Sequence, residues 1–128
     1  MGMKPRTSTR SVTIYHNPKC STSVHAMNAA EAAGVTVTTV LYLKPEQRPN
    51  RDELAKLQSM LTGPVEDMVR KDKRFKEMGL KAEDYVGKPD AVLDLLTEHI
   101  ELMQRPILVR GTKAMIGRPK EEVAAFLA

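Results

Sequence analysis

Cys20 is the only cysteine among 128 residues, and its neighbours decide what chemistry it can do. The run Thr13-Ile14-Tyr15-His16-Asn17-Pro18-Lys19-Cys20-Ser21-Thr22-Ser23 begins as a β-branched and aromatic strand pattern. Asn17-Pro18 breaks that pattern, and three hydroxyl residues lead into a helical one. A thiol at such a junction faces the unpaired N–H groups of the helix start, and the macrodipole favours thiolate over thiol. Those N–H groups can also hold an anion beside the sulfur. A buried, purely structural cysteine is the alternative that placement alone leaves open. Arg70 reads equally as a cation at a helix C-terminus, His16 as a polar strand end, and Ser23 as a backbone-bonding residue of the helix start.

The elements that must position these residues follow from periodicity. A strand is expected at about 11–16 and a helix at about 21–33, stopped by Gly34. A second strand is expected from Val35 to Leu43, which makes a right-handed βαβ unit with two parallel strands. Residues 44–104 read as an all-helical block. Asn50 and Glu53 form a capping-box pattern ahead of Leu54, Leu57 and Leu61, and Gly63-Pro64 opens a further helix ending at Arg70. Short helical pieces from Phe75 to Tyr85 precede a helix opened by Pro89. Ile107–Val109 and Ala114–Ile116 form a hairpin, and Arg118-Pro119 starts the last helix. The order βαβ, helical block, ββα describes an α/β protein with one four-stranded mixed sheet. Residues 1–10 are expected to be a disordered or cloning-derived tail, and 11–128 one domain.

Charge supports this division. The formal net charge is +4, but Lys4, Arg6 and Arg10 supply most of it, leaving 17 basic and 16 acidic residues in the body. A nearly neutral body argues against nucleic acid as partner. No run approaches the ~18 apolar residues of a membrane span, and no signal-peptide pattern precedes the first strand. One cysteine permits no internal disulfide, which fits a reducing cytoplasm.

At this point the sequence resembles a known family. The βαβ–ββα order with cysteine at the first strand–helix junction is similar to the thioredoxin fold. His16 to Ser23, Val69-Arg70-Lys71, Arg105-Pro106-Ile107 and Gly117-Arg118-Pro119 resemble, in order and across residues 12–127, the motifs of the glutaredoxin-coupled arsenate reductases. That family more often has glycine where Ser21 stands and a basic residue where Val24 stands. The resemblance implies that Cys20 attacks arsenate and that His16 helps to lower the thiol pKa. It also implies that Arg70, Arg105 and Arg118, with Ser21, Thr22 and Ser23, bind the oxyanion, and that Pro106 is a cis proline beside the site.

The implied chemistry is coherent. Arsenate is a tetrahedral anion, and guanidinium forks match its oxygens. A thiolate attacking arsenic leaves a covalent adduct, and reduction then needs a second thiol. With Cys20 alone, that thiol comes from outside; the family uses glutathione as co-substrate and then glutaredoxin, with no bound cofactor. The sequence excludes neighbouring families. Phosphatase-like arsenate reductases need C-x5-R, and position 26 is alanine. Thioredoxins and most Spx-like regulators carry C-x-x-C, and the second position here is Ser23. His16, His25 and His99 are too few and scattered for zinc. A monomer is expected. The competing functions are an Spx-like RNA-polymerase-binding regulator and a general glutathione-dependent thiol reductase.

Overall fold

The computed structural model describes residues 11–128, so the expected tail lies outside the described residues. A four-stranded sheet has the order β2-β1-β3-β4, with β1 Ser11–Tyr15, β2 Thr36–Val40, β3 Ile107–Arg110 and β4 Lys113–Ile116. β1 and β2 run parallel, joined by α1 (Ser21–Ala33), while β3 lies antiparallel to both β1 and β4. Between β2 and β3 come α2 (Arg51–Met60), α3 (Lys73–Glu77) and α4 (Pro89–Glu98), with single 3₁₀ turns between them. α5 (Val123–Leu127) closes the chain after a 3₁₀ turn at Lys120–Glu122.

Strand pleating sorts the core onto two faces, because successive side chains point to opposite sides of a sheet. Val12, Ile14, Leu108 and Met115 meet Ala26 and Ala30 of α1 and Val123 and Leu127 of α5. Ile107 and Ala114, their neighbours in sequence, face the helical block and pack with Leu54, Leu57, Met68, Leu96 and Met103. The capping box at α2 is complete: Glu53 N–H donates to the Asn50 side chain at 2.8 Å, and Asn50 N–H to Glu53 Oε1 at 2.9 Å.

Three elements differ from the sequence reading. β2 stops at Val40 rather than Leu43. The chain turns there because Lys44 N–H closes on the Leu41 carbonyl, Leu41 N–H donates to Gln47 Oε1, and Pro45 opens a 3₁₀ turn. The helix expected after Gly63-Pro64 is one 3₁₀ turn, Val65–Met68. Val69 is instead extended and bridges Met103, with Arg70 N–H on the Leu102 carbonyl and Gln104 N–H on the Met68 carbonyl. A β-branched residue suits that pairing better than a helix turn. Leu61 lies just past α2 and pairs with Ala114, so segment 61–62 covers the outer edge of β4.

Gly117 joins β4 to the last segment under a steric constraint. Its N–H donates to the Pro106 carbonyl at 2.9 Å, and a Cβ placed there would meet Pro106 Cγ at 2.7 Å. Only glycine admits so close an approach without displacing the proline. Gly117→Ala is therefore expected to lose about 1–3 kcal/mol of stability by overpacking, measured by urea denaturation. Gly63→Ala is the control, since the nearest atom to its Cβ would be Asp67 Oδ2 at an ordinary 3.7 Å. Equal losses in the two variants would contradict this account.

Candidate active site

The cysteine loop is built from local hydrogen bonds. Pro18 occupies the second position of a turn closed by Cys20 N–H on the Asn17 carbonyl at 3.0 Å, a favoured place for proline. Asn17 Oδ1 accepts from Lys19 N–H at 3.0 Å, an Asx turn that tightens the same bend. Inside the loop, Ser23 Oγ accepts from Asn17 N–H at 3.0 Å and lies 2.7 Å from His16 Nδ1. The serine oxygen can give its one proton to Nδ1 while accepting from Asn17 N–H, or accept from both. Burial pushes the His16 pKa below its ordinary 6.5. His16 is therefore neutral near pH 7, and what it gives the thiolate comes through loop geometry, not charge.

Cys20 occupies the N-cap position of α1 and is 8% exposed. No acidic residue lies in the first turn, so nothing cancels the positive end of the helix. Arg118 Nη2 stands 3.4 Å from the sulfur. Burial raises the thiol pKa, but Ser23 N–H, the hydrogen bond and charge of Arg105, and Thr22 N–H outweigh it, and the net shift is downward. Two guanidiniums thus face one sulfur from outside the loop. Arg118 is anchored on the backbone of the other arginine, its Nε donating to the Arg105 carbonyl at 2.9 Å. Arg105 Nε is buried and has no hydrogen-bond partner among the described residues, a donor left over for something the site would hold.

The expected site residues divide accordingly. Cys20, Arg105, Arg118 and the backbone of Thr22 and Ser23 come together, with His16 behind the loop. The Ser23 side chain points inward to the loop, and Ser21 is exposed at the helix start. Pro106 follows a cis bond, as does Pro119. Arg70 is engaged elsewhere: Nη1 donates to the Glu101 carbonyl at 3.0 Å, and Nη2 pairs with Asp72 at 2.5 Å. Among its recorded contacts none is to Cys20. Arg118 also lines a polar cleft of about 260 Å³ with Thr62, Asp67 and Glu122.

Tyr42 is a neighbour the sequence reading passed over as an interior strand residue. It is 1% exposed, and Arg105, Cys20 and Arg118 act electrostatically on its hydroxyl. Its one sequence signal is Lys44-Pro45 just downstream, which interrupts the strand pattern.

No helix among the described residues is long and apolar enough to cross a membrane. Comparison with known proteins matches residues 15–126 to the ArsC family. An arsenate reductase of Escherichia coli is 35% identical over 117 residues, covering 91% of this chain and 80% of its own. One from Neisseria meningitidis is 35% identical over 118 residues, covering 91% and 97%. The uncharacterised protein YfgD of Escherichia coli strain K12 is 37% identical over 116 residues, covering 90% and 95%. Among solved structures, an arsenate reductase from Vibrio cholerae superposes with a TM-score of 0.76 at 35% identity, over 91% of this chain and 98% of that one.

The electrostatics have a measurable sign. The rate of Cys20 alkylation by iodoacetamide is expected to titrate below the free-cysteine value of ~8.5, and Arg105→Ala to move the midpoint up. The folded pKa is depressed, so the thiolate's contribution to stability is complete above the unfolded value and is lost as pH falls through the folded one. The stability gap between wild type and Cys20→Ser should therefore shrink as pH falls. A midpoint at or above ~8.5 would remove the nucleophile.

Proposed function

The chain belongs to the ArsC family, and from that premise we infer that it is an arsenate reductase, an oxidoreductase whose nucleophile is Cys20. The observation that carries the reading is the cluster itself: a depressed thiol at a helix N-terminus with Arg118 Nη2 at 3.4 Å and an unpaired donor on Arg105. Such a site lowers the cost of bringing a tetrahedral anion up to a sulfur anion. Guanidinium and backbone N–H groups neutralise the oxygens while the thiolate attacks arsenic.

The electron count then dictates the rest. Attack by Cys20 forms a sulfur–arsenic bond and displaces one oxygen as water, with arsenic still in the +5 state. Reduction to arsenite takes two electrons, which two further thiols supply by forming a disulfide. Water finally cleaves the Cys20–arsenic bond and returns the thiol. The chain has no second cysteine, so both thiols are external. Glutathione and then glutaredoxin are the proposed donors, with no bound cofactor. A reducing cytoplasm fits such a dependence, and the proposed state is a monomer. Arg70 enters the reaction only by leaving Asp72 and the Glu101 carbonyl.

The test is arsenate-dependent NADPH oxidation in an assay coupled through glutathione, glutaredoxin and glutathione reductase. Arg105→Ala and Arg118→Ala should each lower kcat/KM on the order of 10²-fold while the protein stays folded. Arg110 donates instead to the Phe126 and Ala128 carbonyls at the end of α5. Arg110→Ala should thus cost stability and leave turnover near wild type. A loss of turnover equal to that of the other two would misplace the site.

A further inference from the structure

We propose that Tyr42 is a further binding residue of the anion site, its hydroxyl a neutral hydrogen-bond donor to the oxyanion held by Arg105 and Arg118; this rests on reading that cluster as the arsenate site. Tyr42 reaches the cluster because β2 ends early. His16 N–H donates to the Val40 carbonyl at 2.9 Å, which lays the chain leaving β2 alongside the cysteine loop. The turn at Leu41–Lys44 follows, and the ring is buried in the same core cluster as Met68, Met103 and Ile107. Ile107 and Met103 flank Arg105 in sequence, so the segment that carries the arginine shares this core with the ring.

Two observations make this more than a core tyrosine. A buried phenol ordinarily finds a hydrogen-bond partner, because an unpaired hydroxyl in the interior is costly. The Tyr42 hydroxyl makes no hydrogen bond among the described residues and still touches solvent, whereas Arg105 Nε is both buried and without a partner there. Two residues with an unpaired donor therefore act on the same sulfur, in a site where Arg118 already faces it. A tetrahedral oxyanion, with four oxygens and more lone pairs than two guanidiniums can fill, would accept from both.

The proton is secure on that oxygen. Burial pushes the phenol up to about 12, with Cys20 also raising it and Arg105 and Arg118 drawing it down. Tyr42 consequently donates throughout the working pH range and never adds a competing negative charge.

Tyr42→Phe removes the oxygen and keeps the ring, so packing is preserved. The experiment measures protection of Cys20 from iodoacetamide by inorganic phosphate, with ionic strength fixed by chloride. Tyr42→Phe should weaken phosphate protection roughly tenfold, as loss of one hydrogen bond to a charged acceptor implies, with a fall in arsenate kcat/KM of similar size. Tyr85→Phe, at a buried tyrosine outside the cluster, should change neither. Unchanged protection in Tyr42→Phe, with Arg105→Ala still defective, overturns the assignment and leaves the arsenate site standing. No protection in wild type overturns both. If Tyr42→Phe does not fold, ¹³Cζ-tyrosine labelling decides, with Tyr42 assigned by elimination from Tyr15→Phe and Tyr85→Phe. Its resonance should shift saturably with phosphate, and a resonance that stays still overturns the proposal.

Discussion

A negative sulfur held almost out of water is the constraint on which the rest of this structure depends. Desolvation alone would keep Cys20 protonated and inert, since a buried charge is costly unless it is paired. The fold offsets that cost from three directions. The N-terminus of α1 brings backbone N–H groups, the segment before β3 brings Arg105, and the segment after β4 brings Arg118. Two of the three lie far from Cys20 in sequence, so the full depression of the thiol requires the assembled sheet.

Assembly is in turn conditioned by small, exact fits around the second half of the sheet. Gly117 lets the end of β4 close on Pro106, and that closure places Arg118 Nε on the Arg105 carbonyl. The helical block contributes through backbone pairing: Val69 against Met103 ties its middle to the chain entering Arg105. The block is therefore part of the active-site scaffold and not an appendage to a smaller fold.

Much of this was legible in the residues. The strand, turn and helix around Cys20 are written in local chemistry: β-branched alternation, Asn-Pro, then hydroxyls and a glycine stop. The capping box at Asn50 and the hairpin at residues 107–116 are likewise local signals, and each formed where expected. What stayed hidden depends on partners distant in sequence. Nothing within Val65–Arg70 announces that Met103 will pull Val69 out of a helix, and so Arg70 reads as a helix-end cation. Tyr42 looks like any aromatic residue in a strand until β2 ends two residues before it. The charge of His16 is invisible too, because burial and its bond to Ser23 are properties of the folded loop.

The 8% exposure of Cys20 has a consequence for the order in which reactants can meet it. A small tetrahedral ion can slip down to the sulfur, whereas a peptide-sized thiol is sterically handicapped there. An arsenic atom bonded to the sulfur would lie a full bond length further out. The substrate thereby becomes the arm that carries reactivity to the surface. A recessed nucleophile in this way favours a small ion over a bulky thiol as its first reactant.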